Sequence, residues 1–343
     1  MAPEPKRILI VKLGAVGDCL HGLSAVGALR LVRPDAEIDW LVETKSQEVV
    51  LGHPDLNRVH VWNRRAAAAD MKKGQVGAAW STIREVVAAV RAVGYDAAVD
   101  LQNLFKSGFF TLRSGAPLRI GVGRPREGNF LFMNKWVRPR EADYHMVRRY
   151  LALLAPLGVD PTVAPPPPAI FIPADKMRVA DEFFIDDVPA GRPVVAINPA
   201  ASLPRKVWPA DRFAAVADRL VETFGVKPLL IWGPGEEPAV AAVRRAMKRE
   251  ALVAPRTSLK ELAHLLSKCV MYVGNDSGPM HIAAAMGAAV VGLFGPTDPR
   301  RVAPLGPNVR AVEPFEPFSQ SRAVDGIAVA QVYTAAAQLL EKL

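Results

Sequence analysis

The chain is poor in cysteine, in aromatic side chains and in long apolar runs, and each shortage removes a class of protein. Its two cysteines, Cys19 and Cys269, lie far apart and in no metal-ligand spacing, which argues against a disulfide framework and against a structural zinc site. Aromatic residues make up 7% of the chain although 50% of it is hydrophobic. The cores must therefore be built from Ala, Val, Leu and Ile, the composition of buried parallel strands under Ala-rich helices. No stretch approaches the roughly 20 apolar residues of a membrane-spanning helix. The first apolar run, residues 8–11, is too short for a signal-peptide core and lacks a cleavage site, so a cytoplasmic protein is expected. Basic runs interleaved with aromatics are missing too, which excludes an obvious nucleic-acid patch. The formal net charge is nevertheless +9. Anionic substrates, and peripheral contact with an anionic inner-membrane surface, are the partners this charge predicts.

At 343 residues the chain exceeds one ordinary core and predicts two domains. Short apolar runs alternate with helical patterns, the signature of parallel sheets with crossover helices. In the first half, strands are expected at 7–12, 37–42, 97–101 and 119–122, and helices at 18–31, 82–93 and 144–157. The stretch DPTVAPPPPAIFIP then interrupts the pattern, because four consecutive prolines fit neither a helix nor a central strand. It separates an amino-terminal domain, 1–160, from a carboxy-terminal one, 174–343, with 161–173 as linker. In the second half, strands are expected at 194–198, 229–232, 270–274 and 290–294. Helices are expected at 210–224, 237–249, 259–267 and 279–285, with a terminal helix at 327–343 packing back across the first domain. The fold class is α/β, two Rossmann-like domains whose parallel sheets face each other across a cleft. Ligands of such sheets gather at the carboxyl ends of the strands, so the loops there are the places to look for chemistry.

The first of these loops, KLGAVGDCLHG, carries Gly14 and Gly17 but no G-x-G-x-x-G, and Asp18 stands at the start of its helix. A dinucleotide pyrophosphate would meet that carboxylate at the helix N-terminus, which weakens a dehydrogenase reading. Asp18 reads either as an N-cap or as a cleft-facing base that takes a proton from an acceptor hydroxyl. His21, one turn on, reads either as an acceptor contact on the same face or as a structural histidine. The loop GNDSGPMHIAAAMG concentrates turn-forming and polar residues before an Ala-rich helix. N–H groups around Ser277 and Gly278, with the helix dipole behind them, suit a diphosphate, and Asp276 and His281 stand beside it. The alternative is an ordinary capped helix, with Asp276 or Ser277 as the cap. In NPAASLPRKVWP, Lys206 is a candidate for donor phosphate and Trp208 for anchoring the loop. In WGPGEEP, Glu236 or Glu237 ends a second strand where a ribose would be held. Gln102 and Lys106 after the 97–101 strand, and Arg124 and Arg126 later, are candidates for acidic groups of an acceptor, each also readable as plain surface polarity.

Taken together and in order, RILIVKLGAVGDCLHGLSAV, YDAAVDLQNLFKSG, NPAASLPRKVWP, WGPGEE and GNDSGPMHIAAAMGAAVVGLFGPTDP resemble glycosyltransferase family 9, the heptosyltransferases that add heptose from ADP-heptose to the inner core of lipopolysaccharide. The resemblance covers nearly the whole chain. It implies a GT-B fold, an acceptor-binding first domain and a second domain that binds the nucleotide sugar. It also implies an inverting displacement with no metal or cofactor. By the same resemblance Asp18 is the base, Lys206 binds donor phosphate, Asp276, Ser277, Gly278, Met280 and His281 hold the diphosphate and sugar, and Glu236 holds ribose. The alternatives are a family 9 transferase with another nucleotide sugar or acceptor, a dinucleotide-dependent oxidoreductase, and a catalytically idle sugar-nucleotide binder.

Overall fold

The computed structural model describes residues 4–123 and 127–342. The chain divides into two compact units, Met1–Phe171 and Ile172–Leu343. The boundary falls within the proline-rich stretch.

In the first unit β1 (Arg7–Val11) leads into α1 (Val16–Val32), followed by β2 (Glu37–Glu43) and β3 (Arg58–Trp62). Two helices follow, α2 (Arg64–Lys72) and α3 (Val76–Val93), then β4 (Ala97–Asp100), α4 (Phe105–Arg113), β5 (Leu118–Val122), β6 (Lys135–Val137) and α5 (Met146–Leu154). The strands form one sheet in the order β3-β2-β1-β4-β5-β6, with every pairing parallel. Ile8 to Val11 are fully buried because both faces of the sheet are covered: Leu9 and Val11 pack with Val86, Val87 and Val90 of α3 and with Phe110 of α4. The strand order reverses between β1 and β4, the position at which loops part to open a crevice in a doubly wound sheet.

The second unit repeats that plan. After α6 (Arg178–Asp186) come β7 (Val194–Asn198), α7 (Ala210–Phe224), β8 (Lys227–Leu230), α8 (Glu237–Ala246), β9 (Leu252–Val253) and α9 (Leu259–Ser267). They are followed by β10 (Met271–Asn275), α10 (Gly278–Ala285), β11 (Ala289–Leu293), α11 (Pro299–Val302), β12 (Val309–Val312) and α12 (Val329–Leu340). The order is β12-β11-β10-β7-β8-β9, again parallel throughout, with the reversal between β7 and β10.

Two expectations need correction. The first helix begins at Val16, not at residue 18, because the Cys19 N–H already donates to the Ala15 carbonyl at 2.9 Å. The terminal helix belongs to its own unit: Val332, Ala336 and Leu339, spaced on one helical face, enter the core formed by β7, β10, β11 and α7. No described helix is long and apolar enough to cross a membrane.

Candidate functional site

In the first unit the loops after β1 and β4 meet at the strand reversal. Lys12 ends the β1 run at 2% exposure, and its Nζ lies 2.9 Å from Asp18 Oδ2. Asp18 is not the N-cap. That position is Ala15, which offers no side-chain bond, and Asp18 stands in the first turn, where the helix dipole favours a carboxylate. Its side chain is 35% exposed. Burial by itself would lower the Lys12 pKa, but Tyr150 and Asp18 outweigh it and hold that pKa above its ordinary value. Lys12 is thus a buried ammonium that holds one oxygen of Asp18. Among the described residues Oδ1 takes no hydrogen bond, and the partly exposed side chain leaves it open to solvent or a substrate.

Gln102 joins the two loops, accepting a hydrogen bond from the Gly14 N–H at 3.3 Å. Its own loop is shaped by Asp100, a fully buried carboxylate. Asp100 accepts from the N–H groups of Gln102 and Asn103, from Ser107 Oγ and from Asn129 Nδ2, at 2.8, 2.9, 2.8 and 2.6 Å. Burial raises the Asp100 pKa, and the four donors oppose that rise without cancelling it. Lys106 is engaged by buried Glu43 at the end of β2, Nζ to Oε1 2.5 Å. Arg64 approaches the other Glu43 oxygen at 3.8 Å. Glu43, Lys45, Arg64 and Arg65 help to line a cavity of about 310 Å³ at this carboxyl edge, and Lys45 lies directly beside Gly14. His21 is 4% exposed. Its ring sits edge-on to His145 with centroids 5.3 Å apart, so it is packed between α1 and the start of α5 and does not line an open surface. Arg124 and Arg126 lie outside the described residues.

In the second unit the same two strand ends are tied by asparagines. Asn275 Oδ1 accepts from the Trp208 N–H at 3.1 Å, and Asn275 Nδ2 donates to the Pro199 carbonyl at 2.9 Å. The fully buried Trp208 ring donates to the Ile327 carbonyl at 3.0 Å, so Trp208 does anchor the loop that carries Lys206. Lys206 Nζ lies 2.5 Å from Asp276 Oδ2. Asn198 Nδ2 donates both to Ser277 Oγ and to the Tyr272 hydroxyl, each at 3.2 Å. Gly274 is required here, since a Cβ on it would lie 2.6 Å from that hydroxyl and 2.9 Å from the Asn198 carbonyl oxygen.

Ser277 occupies the N-cap position of α10, yet its side chain makes no cap bond. An ordinary capped helix is therefore not what the structure contains. Pro279 has no N–H to satisfy, so the first-turn donors are the N–H groups of Gly278 and Met280. The Met280 side chain is fully buried under Gly292 and offers a ligand only its backbone. His281 is also largely buried. Glu236 folds back on its own turn, Oε2 accepting from the Gly233 N–H at 2.8 Å, while Glu237 is exposed as the first residue of α8. Burial raises the Tyr272 pKa; its hydrogen bonds with Ser277 and Asn198 oppose the rise, and the charges of Asp276 and Glu236 add to it.

Lys12 and Asp100 were not singled out from the sequence, although each is the polar residue closing an otherwise apolar buried strand. Chemically, the first unit presents a held carboxylate beside a basic cavity. The second presents an ammonium, a carboxylate and an uncapped helix N-terminus, an arrangement fitted to an oxyanion.

Residues 83–323 match the model of glycosyltransferase family 9 (heptosyltransferase). The lipopolysaccharide core heptosyltransferase OpsX of Haemophilus influenzae is 27% identical over 325 residues, covering 92% of this chain and 86% of that protein. Among solved structures, a family 9 glycosyl transferase from Veillonella parvula superimposes with a TM-score of 0.87 at 25% identity, covering 100% of this chain and 99% of that one. The E. coli heptosyltransferase WaaC, solved with ADP-2-deoxy-2-fluoro heptose, has a TM-score of 0.74 at 24% identity, covering 98% of this chain and 99% of its own.

Proposed function

The chain belongs to glycosyltransferase family 9, the heptosyltransferases, with the two-unit GT-B fold, and from that premise we propose that it moves a heptose from ADP-heptose to a lipopolysaccharide inner-core acceptor. The proposed reaction is a single inverting displacement that needs no metal. The observation that carries this reading is the pairing of Lys206 with Asp276 beside the uncapped N-terminus of α10. A pyrophosphate leaving group needs such a place, because the charge it gains on departure is met by an ammonium and by the N–H groups of Gly278 and Met280.

In this reading the second unit binds the donor. Lys206, Asp276, Ser277, Gly278 and His281 surround the diphosphate and sugar, and Met280 takes part through its N–H. Glu236 is preferred to Glu237 for the ribose hydroxyls, because Gly233 holds one of its oxygens and leaves Oε1 available. The first unit binds the acceptor. Asp18 removes the proton of the acceptor hydroxyl, whose oxygen forms the new bond to the anomeric carbon as the bond to the diphosphate breaks and ADP departs with the electron pair. Lys45, Arg64 and Arg65 suit the phosphates or carboxylates of an inner-core acceptor, with Gln102 fixing the loop between them. The E. coli structure with a fluorinated ADP-heptose supports the choice of donor. A dinucleotide-dependent oxidoreductase is set aside by the family membership.

Calorimetry against ADP, GDP, UDP and NAD tests the donor assignment. ADP is expected to bind most tightly; preference for NAD or UDP would overturn it. Transfer in excess EDTA is expected to proceed at the rate seen without it, whereas a large loss would contradict the metal-free step.

A further inference from the structure

The first unit carries a groove of about 660 Å³ between α3 and α4, away from the strand-end loops. Its floor is apolar, made by Ile83, Val87 and Ala88 of α3 and by Phe109 of α4, with Trp80 at one end. Its rim is three arginines, Arg84 and Arg91 two helical turns apart on α3 and Arg113 on α4. No acidic residue lines it, and none of the three guanidiniums takes part in an ion pair or hydrogen bond among the described residues. Other large apolar side chains of the first unit are exposed too. Phe105 and Leu112 of α4 are exposed, as are Leu131 and Trp136, and Phe105 meets Phe132 edge to face at 5.1 Å.

We propose that this groove docks the protein on an anionic phospholipid bilayer, with an acyl chain on the Ile83–Val87–Phe109 floor and lipid phosphates on Arg84, Arg91 and Arg113. The inference rests on the lipopolysaccharide-acceptor reading for its biological sense, but its physical basis is independent of it. An apolar floor bordered by cations with no counter-charge matches an amphiphile with an apolar tail and an anionic head. Arginine stems lie along apolar surface while their heads stay in a polar layer, and tryptophans such as Trp80 and Trp136 favour a membrane–water boundary. A second copy of the chain fits less well. A twofold contact places the same patch on both sides, so arginines would face arginines with no carboxylate between them.

The test uses the full chain and vesicles of phosphatidylcholine with or without phosphatidylglycerol. Cosedimentation is expected with the anionic vesicles and not with phosphatidylcholine alone. Each basic residue at such a surface contributes about fivefold to binding, so Arg84→Gln/Arg91→Gln/Arg113→Gln should lose roughly 100-fold and Arg84→Gln alone about fivefold. Lipids brominated in the acyl chain should quench tryptophan fluorescence in the wild type, and Trp80→Phe should remove much of that quenching. Far-ultraviolet circular dichroism and the thermal midpoint of each variant report retained folding; should the triple variant fail them, Arg84→Gln at its exposed position decides the matter. Equal binding of wild type and Arg84→Gln, equal binding to both vesicle types, or a wild-type dimer that the triple variant dissociates would overturn the proposal. Neither readout involves turnover, so failure of the glycosyl-transfer reading and failure of the docking surface are distinguishable.

Discussion

Asp18→Ala is expected to lower the rate of transfer by about 10²–10⁴-fold, the usual contribution of one positioned base, while the affinity for ADP stays close to that of the wild type. The asymmetry follows from where the residue sits. Asp18 is in the first unit, held by the buried Lys12 ammonium at 2.9 Å, and it takes no part in the Lys206–Asp276 cluster of the second. Asp18→Asn is the sharper variant, since the amide keeps the size of the side chain and loses the basicity. Single-turnover kinetics with calorimetry on the same preparations separate the two effects. Lost ADP affinity with turnover spared would reverse the role given to this residue.

Lys206→Met should act differently, lowering turnover by about 10²–10³-fold, the scale seen when one donor to a developing oxyanion is removed, and weakening ADP binding as well. A charge-assisted hydrogen bond to phosphate is present in both ground and transition states and is stronger than a neutral one. The substitution has a second cost. Asp276 is 8% exposed with Lys206 as its ion-pair partner, and removing one member of such a pair leaves an uncompensated carboxylate. Lys206→Met/Asp276→Asn relieves that charge, so its thermal midpoint should recover toward wild type while turnover does not. Recovery of both would make Lys206 a structural residue.

The strands that could be read from the sequence are the buried ones, for a physical reason. The eight expected strands correspond to β1, β2, β4, β5, β7, β8, β10 and β11, which are the interior strands of the two sheets. Strands covered on both faces appear as continuous apolar runs. The four not expected, β3, β6, β9 and β12, are the edges. They are short or half-exposed, as in Lys135–Val137 and Leu252–Val253, and carry no such run. Missing β3 hid the start of α2 and, with it, the cavity lined by Arg64 and Arg65. The loops of the second unit were readable because Asn275, Asp276, Ser277 and Gly278 stand together in sequence. Those of the first unit depend on partners far apart in the chain. Glu43 claims Lys106 across 63 positions, and Asn129 reaches Asp100 across 29; no local pattern announces either pair. His21 stands one turn from Asp18 and Met280 lies within the family motif, but both side chains are buried, which their place in the sequence does not reveal.

The stereochemistry of the transferred sugar tests the central claim most directly. A carboxylate that primes the incoming hydroxyl, acting against a pyrophosphate that departs from the far side of the anomeric carbon, must invert that centre in one step. NMR of the product formed from ADP-heptose of known anomeric configuration should show the opposite configuration at the new linkage. Retention would require a covalent intermediate or a same-face route, and would contradict the roles assigned to Asp18 and Lys206 together.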